Sequence, residues 1–189
     1  MMPAQKNFPL VSLQYLLKGM KSLKLDVLVA EPSVDARNIE LNGVFLAVSG
    51  TDSHGLMYAD QAIAHGAKAI VYDPSSGGDF LAEKIQKQHD IRLIELDNLS
   101  ANASEIASRF YNEPSLALSV IGITGTNGKT SISHFIAQAI SAEKNECGVI
   151  GTLGWGSVDK LQPTMNTTPD AVSVQYQLAT LVNEGFDAV

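Results

Sequence analysis

The chain has 189 residues, 45% hydrophobic and 17% charged, with 13 basic against 20 acidic side chains and a formal net charge of -7. That composition supports a packed core and excludes global disorder. It argues against a non-specific nucleic-acid binder, which needs a basic balance. It leaves phosphate ligands open, because a nest of backbone N–H groups binds an anion even on an acidic protein.

Cys147 is the only cysteine, so no intrachain disulfide forms and a reducing compartment is the simplest setting. No run approaches the roughly 18 consecutive apolar residues of a membrane span, and the N-terminus lacks the apolar core and cleavage site of a secretory signal. The expectation is a soluble, cytoplasmic, monomeric protein without a membrane or nucleic-acid partner.

In chain order, Ser12 precedes Leu13, Leu16, Leu17 and Met20, a capped helical spacing that ends near Gly19. Short apolar runs of strand length follow at 27–30, 44–48, 69–72 and 92–96. Helix-like stretches lie between and after them, at 58–65, 80–88 and 100–111. This alternation predicts an α/β fold. At Asn112-Glu113-Pro114-Ser115 a helix ends and proline forbids its continuation. The expected domains are therefore 1–113, small and mixed α/β, and 114–189, the start of a doubly wound P-loop domain.

The second domain reads as a strand at 118–123, a glycine-rich loop, a helix at 129–142, a strand at 147–150, a loop and a helix at 170–184. The last residues, Phe186 to Val189, read as the opening of another strand. The expectation drawn from this is a piece of a longer protein, inactive by itself.

The strongest chemical signal is Gly122-Ile-Thr-Gly-Thr-Asn-Gly-Lys-Thr-Ser131. An apolar run enters it and a helical pattern with Phe135, Ile136, Ala139 and Ile140 on one face leaves it, the strand–loop–helix context of a phosphate loop. Gly125 and Gly128 permit backbone geometries that turn N–H groups toward an anion, and the helix N-terminus adds positive potential. Lys129 is placed to reach the β/γ-phosphates of ATP, and Thr130 to offer its hydroxyl to Mg²⁺. Ile123 stands where the usual G-x-x-x-x-G-K-[ST] pattern has its first glycine. The rival reading is a chance Gly-Lys-Thr turn at a helix start.

Thr124-Gly125-Thr126-Asn127-Gly128-Lys129-Thr130 resembles the ATP loop of the Mur ligase family and its folylpolyglutamate synthetase relatives. Other segments resemble the branch of that family that adds the third peptide residue. They are Arg109 to Ser115, Val34-Asp35-Ala36-Arg37 followed by Gly43 to Val48, and Gly50 to Gly55, which is similar to a G-x-x-x-D-G element. Gly151-Thr152-Leu153-Gly154 and Asn166-Thr167-Thr168-Pro169-Asp170 complete the set, so the likeness covers nearly everything after residue 30.

The resemblance implies ATP-dependent amide formation on UDP-MurNAc-L-Ala-D-Glu through an acyl phosphate, with a diamino acid as the incoming amine. Meso-diaminopimelate is favoured over lysine as that amine. It further implies that Gly125, Thr126, Asn127, Gly128, Lys129, Thr130 and Ser131 hold ATP and that Lys129 and Thr130 serve catalysis. Val34, Ala36, Thr51, Asp52 and Ser53 would line the uridine site, and Asn166, Thr167 and Thr168 would contact the muramoyl-dipeptide. Serine is common in the family where Ala36 stands. Rival assignments are the D-Ala-D-Ala-adding ligase, a folate-type ligase, and a non-catalytic ATP-binding module.

Plainer readings exist for several of these residues. Asp35 and Arg37 read equally as a surface ion pair, and Asn166-Thr167-Thr168 as a helix cap. The four histidines lack metal-ligand spacing and read as surface or internally satisfied groups. Cys147 reads as buried and inert. Trp155 reads either as a packing anchor or as a substrate neighbour. The helix from Asp170 puts Val174, Leu178, Leu181 and Val182 on a core-facing stripe.

Overall fold

The computed structural model describes residues 8–51, 53–143, 146–164 and 168–189. Asp52, Asn166 and Thr167, named above as candidate site residues, lie outside the described residues. The chain divides into two compact units, Met1–Phe110 and Tyr111–Val189, and the fold is mixed α/β.

The first unit opens with β1 (Val11–Ser12) and the single-turn α1 (Leu13–Leu16), then β2 (Leu28–Val29), antiparallel to β1. Ser12 caps α1 as its spacing suggests, accepting from the Tyr15 N–H at 3.0 Å. It also donates to Asp26 Oδ2 at 2.6 Å, which ties the turn to the segment before β2.

The body of this unit is a four-stranded parallel sheet: β3 (Pro32–Ser33), β4 (Val44–Ala47), β5 (Ala69–Tyr72) and β6 (Arg92–Glu95), adjacent in chain order. Every residue of β4 and β5 is buried, as expected for parallel strands covered on both faces. Phe45, Ala47, Ile70 and Tyr72 pack with Ala59 and Ala62 of α2 (Ala59–Ala64) and with Ala82 and Ile85 of α3 (Gly78–Gln88). On the other face α4 (Leu99–Phe110) lies against β3, β4 and α1. It buries Leu99, Ala103, Ile106, Ala107 and Phe110, a helical stripe that removes a long apolar face from water.

The second unit starts with two left-handed residues, Asn112 (φ 61°) and Glu113 (φ 53°), ahead of a 3₁₀ turn at Pro114–Leu116. The apolar run 118–123 does not form the regular strand expected of it. Only its alternate residues pair: Ser119 N–H donates to Asp187 O, Ile121 N–H to Val189 O, and Val189 N–H to Ser119 O. On its other side Ala188 accepts from Gly148 N–H at 2.9 Å. The bridges on both sides of Ala188 are parallel, so segment 187–189 lies between 119–121 and 146–148. Val120 and Ile121 remain exposed.

Between the outer segments runs α5 (Lys129–Ala142). Then come β7 (Gly148–Gly151), β8 (Gly154–Ser157) and β9 (Lys160–Gln162), an antiparallel meander. Its β8–β9 hairpin occupies a stretch that reads as loop from sequence.

The last helix, α6 (Ala171–Glu184), is capped by Asp170, whose Oδ1 accepts from Val172 and Ser173 N–H at 2.9 Å each. The cap therefore lies two residues later than Thr168 would put it. Gly185, at φ 88°, closes the helix, and Phe186 N–H reaches back to Leu181 O.

Trp155 is a packing residue. It is buried, and its ring meets Tyr176 edge-on with centroids 6.2 Å apart. Cys147 is buried too, and burial pushes its thiol above the usual range, as an inert thiol requires. Among the described residues no helix is long and apolar enough to cross a membrane.

A test of the first unit's packing uses Gly78, the first residue of α3. A Cβ there would come within 2.1 Å of the Asp73 carbonyl oxygen and 2.9 Å of His54 Nε2. Gly78→Ala is expected to destabilise the unit by about 3 kcal/mol, read as a lower urea midpoint by circular dichroism. A midpoint within error of the parent would mean that the close approach is not real.

Candidate functional sites

Parallel strands deliver their following loops to one edge, where α/β proteins bind ligands. In the first unit the loops after β3 and β4 carry the sequence-predicted residues Val34, Ala36, Thr51 and Ser53. Asp35 caps a 3₁₀ turn at Ala36–Asn38, accepting from Arg37 N–H at 2.9 Å. It also pairs with the Arg37 guanidinium, Nη2 lying 2.7 Å from Oδ2. That guanidinium holds the Asp35 carboxyl below its ordinary range. The pair thus stiffens the turn and leaves Val34 half-buried beside it.

Ala36 is 4% exposed and its methyl belongs to the core. Its carbonyl lies 3.1 Å from His65 Nδ1. Any ligand contact at this position therefore falls to the backbone or to a neighbour.

The loop after β4 folds back as a short hairpin. Ser49 bridges to His54, Gly50 N–H donates to Ser53 O at 3.1 Å, and Gly55 N–H donates to Val48 O at 2.9 Å. Thr51 is exposed at its tip and Ser53 half-buried.

Under the hairpin lies a polar group that reads from sequence as surface or internally satisfied, and the second is what the structure shows. His54 is 5% exposed. Leu56 N–H donates to its Nδ1 at 3.0 Å, so Nε2 carries the proton and donates to the Asp73 carbonyl at 2.8 Å. The histidine stands at the aspartate of the G-x-x-x-D-G element and serves as the cap of the 3₁₀ turn Gly55–Tyr58.

Asp73, the residue after β5, is also buried. Its carboxylate accepts from Ser75 N–H at 3.0 Å and Leu99 N–H at 3.1 Å. Burial pushes this carboxyl up. The hydrogen bonds from Ser75 and Leu99 more than offset that and hold it below the ordinary range. Among the described residues no group of three His, Cys, Asp or Glu side chains could hold a metal ion.

In the second unit the glycine-rich loop follows the parallel segment 119–121 and runs into α5. Gly125 (φ 147°) and Gly128 (φ 79°) adopt conformations that side chains resist. The first bond back into α5 is Ile132 N–H to Gly128 O at 2.9 Å. The N–H groups of Lys129, Thr130 and Ser131 are therefore the helix's unclaimed first-turn donors. Residues 124–131 are exposed. Lys129 curls over the loop, its Nζ 2.6 Å from Gly125 O and 3.3 Å from Thr126 O. A cation so held stands directly over the amide-rich turn formed by Gly125, Thr126, Asn127 and Gly128.

Lys129 and Thr130 open onto a cavity of about 420 Å³, and so does Thr168 from the segment before α6. The structure thus brings these three sequence-predicted residues to one cavity. Thr152 and Leu153, the turn between β7 and β8, line it as well, and they were not among the predicted site residues. The Gly151-Thr152-Leu153-Gly154 spacing was the available signal, since two glycines flanking two residues mark a tight hairpin turn.

Residues 123–189 match the family model described as Mur ligase middle domain. The chain is 42% identical over 157 residues to UDP-N-acetylmuramoyl-L-alanyl-D-glutamate–2,6-diaminopimelate ligase of Alkalilimnicola ehrlichii, covering 81% of this chain and 31% of that protein. It is 41% identical over 164 residues to the ligase of the same name from Pseudomonas aeruginosa, covering 87% of this chain and 32% of that protein. The chain thus spans about a third of the length of the curated relatives it matches.

A solved structure of a ligase of that name superimposes with a TM-score of 0.69 and 26% identity, over 95% of this chain and 35% of that one. A UDP-N-acetylmuramoylalanyl-D-glutamyl-2,6-diaminopimelate–D-alanyl-D-alanyl ligase from Acinetobacter baumannii shares the fold, with a TM-score of 0.54 at 18% identity over 96% of this chain and 36% of that one.

Asp73 yields a signed pH expectation. Its folded pKa is depressed, so the stability it contributes is complete above the unfolded carboxylate value of about 3.9 and is lost as pH falls through the folded value. Asp73→Asn is expected to cost about 2 kcal/mol at neutral pH, and the gap to the parent should close in denaturant titrations carried toward pH 3. A gap constant from pH 7 to pH 3 would refute the assignment.

Proposed function

Because the chain belongs to the Mur ligase family, we propose that it carries the uridine-binding and triphosphate-binding parts of an ATP-dependent ligase. That ligase joins 2,6-diaminopimelate to UDP-MurNAc-L-Ala-D-Glu. The observation that carries this reading is the second unit's loop, where Lys129 and Thr130 share one cavity with Thr168. A triphosphate bound on the loop and a substrate carboxylate held near Thr168 can then meet in one space. The name shared by the relatives at 42% and 41% identity supports diaminopimelate as the amine.

The residues present suit the groups that the reaction needs. In this reading Gly125, Thr126, Asn127, Gly128 and Ser131 contact the phosphates through backbone and hydroxyl donors. Lys129 exchanges its loop carbonyls for phosphate oxygens, and Thr130 holds Mg²⁺ through its hydroxyl. ATP supplies the phosphoryl group that turns a poor electrophile, the carboxylate, into one that an amine can attack. The chain's own part is positioning and charge neutralisation at the helix N-terminus. In the first unit, Val34, Thr51 and Ser53, with the backbone at Ala36, form the uridine edge. Asp52, and Asn166 and Thr167 beside Thr168, join the same reading from sequence alone. The protein acts as a cytoplasmic monomer in this proposal.

The test is calorimetric titration of the 189-residue chain with ATP–Mg²⁺ and, separately, with UDP-MurNAc-L-Ala-D-Glu. Lys129→Ala is expected to weaken ATP–Mg²⁺ binding by at least about tenfold, the scale of a lost charge-assisted contact, with affinity for the uridine ligand unchanged. Equal ATP affinity in parent and variant would defeat the triphosphate reading. ATP affinity with none for the uridine ligand would favour a nucleotide-binding module of another kind.

A further inference from the structure

We propose that His54 is a positioning residue for the uridine edge of the first unit, acting through the hairpin that carries Thr51 and Ser53. This rests on the uridine reading above.

The hairpin that carries Thr51 and Ser53 is closed by its own bonds. Its closing contacts, Gly50 to Ser53 and Gly55 to Val48, are internal to residues 48–55. They fix its shape but not its height over the sheet. Beside the backbone bond from Asp73 N–H to Ala47 O at 3.3 Å at its foot, the hairpin reaches the end of the neighbouring strand through the His54 Nε2–H bond to the Asp73 carbonyl, 19 residues away. The same ring, through Nδ1, caps the 3₁₀ turn that leads into α2. One imidazole therefore fastens the loop after β4 to the loop after β5 and starts the next helix.

Gly78 leaves room for the ring: a Cβ there would sit 2.9 Å from Nε2. Gly55, the residue after the histidine, packs on the end of β4, where a Cβ would sit 2.7 Å from Ala47 Cα. Asp73 in turn is held by Leu99 and Ser75 N–H, so the carbonyl that His54 grips belongs to a residue anchored at both carboxylate oxygens. A buried neutral imidazole with both nitrogens used is a rigid spacer. It transmits the sheet's position to Ser53, its neighbour in the chain, and so to Thr51. His54 touches no reacting group in this scheme. Its effect is on where the hairpin's donors and acceptors stand.

The two bonds can be separated by substitution. His54→Gln places a side-chain N–H₂ near the position of Nε2 and can still donate to the Asp73 carbonyl. His54→Asn places an acceptor near Nδ1 and can still cap Leu56. His54→Ala loses both. Calorimetry with uridine diphosphate on the 189-residue chain is expected to show about a tenfold loss of affinity for His54→Ala, the scale of one hydrogen bond. His54→Gln should recover most of that loss. His54→Asn should recover thermal stability without recovering affinity. Binding of ATP–Mg²⁺, which reads the second unit, should stay at the parent value in all three.

A purely structural role would make affinity follow stability, with His54→Asn restoring both, and that pattern would overturn the proposal. Uridine diphosphate affinity within twofold of the parent in folded His54→Ala would overturn it as well. A parent chain that binds no uridine diphosphate would instead remove the nucleotide reading beneath it, a result distinct from equal affinities across the series.

Discussion

Parallel pairing of short buried strands is the constraint from which the rest follows. A parallel ladder forces each connection to cross the sheet, so successive strands end at the same edge and their following loops gather there. In the first unit this puts the turn after β3, the hairpin after β4 and Asp73 after β5 side by side. In the second unit the parallel bridges of Ser119, Ala188 and Cys147 do the same on a smaller scale, and the glycine-rich loop leaves from that edge into α5. Neither site needs an excess of positive side chains. The proposed triphosphate site rests on the unclaimed N–H groups at the start of α5 and on Lys129, and a chain of net charge -7 is compatible with such a site.

Much of this was legible in the sequence, because the relevant signals are local. The glycine-rich loop announces itself by two glycines between an apolar run and a helical pattern, and both glycines do take positive φ. The helix-like stretch at 100–111 and the short apolar runs at 44–48 and 69–72 correspond to α4, β4 and β5. Ser12 as a cap, and Cys147 as a buried thiol, were likewise readable.

What was hidden depends on contacts between distant residues. The run 118–123 has the composition of a strand, yet its pairing is confined to alternate residues because its partner, 187–189, meets it only there. The β8–β9 hairpin is short and glycine-rich, so a period of two has too few residues to show. At the start of α6, threonine and aspartate compete for the cap on either side of Pro169. Asp170 wins with a carboxylate that accepts two N–H groups and the Ser173 hydroxyl. His54 could not be assigned beforehand, because its second partner, Asp73, follows another strand 19 residues away.

The position of Trp155 has a practical consequence. It is the chain's one tryptophan, packed against Tyr176 inside the second unit, whereas the first unit has none. Indole emission is therefore a signal from one unit of the molecule: it follows melting of the second unit and is blind to the parallel sheet of the first. A single smooth fluorescence transition would say nothing about whether the two halves come apart together, and cooperativity between them has to be judged against a far-ultraviolet signal that both contribute to.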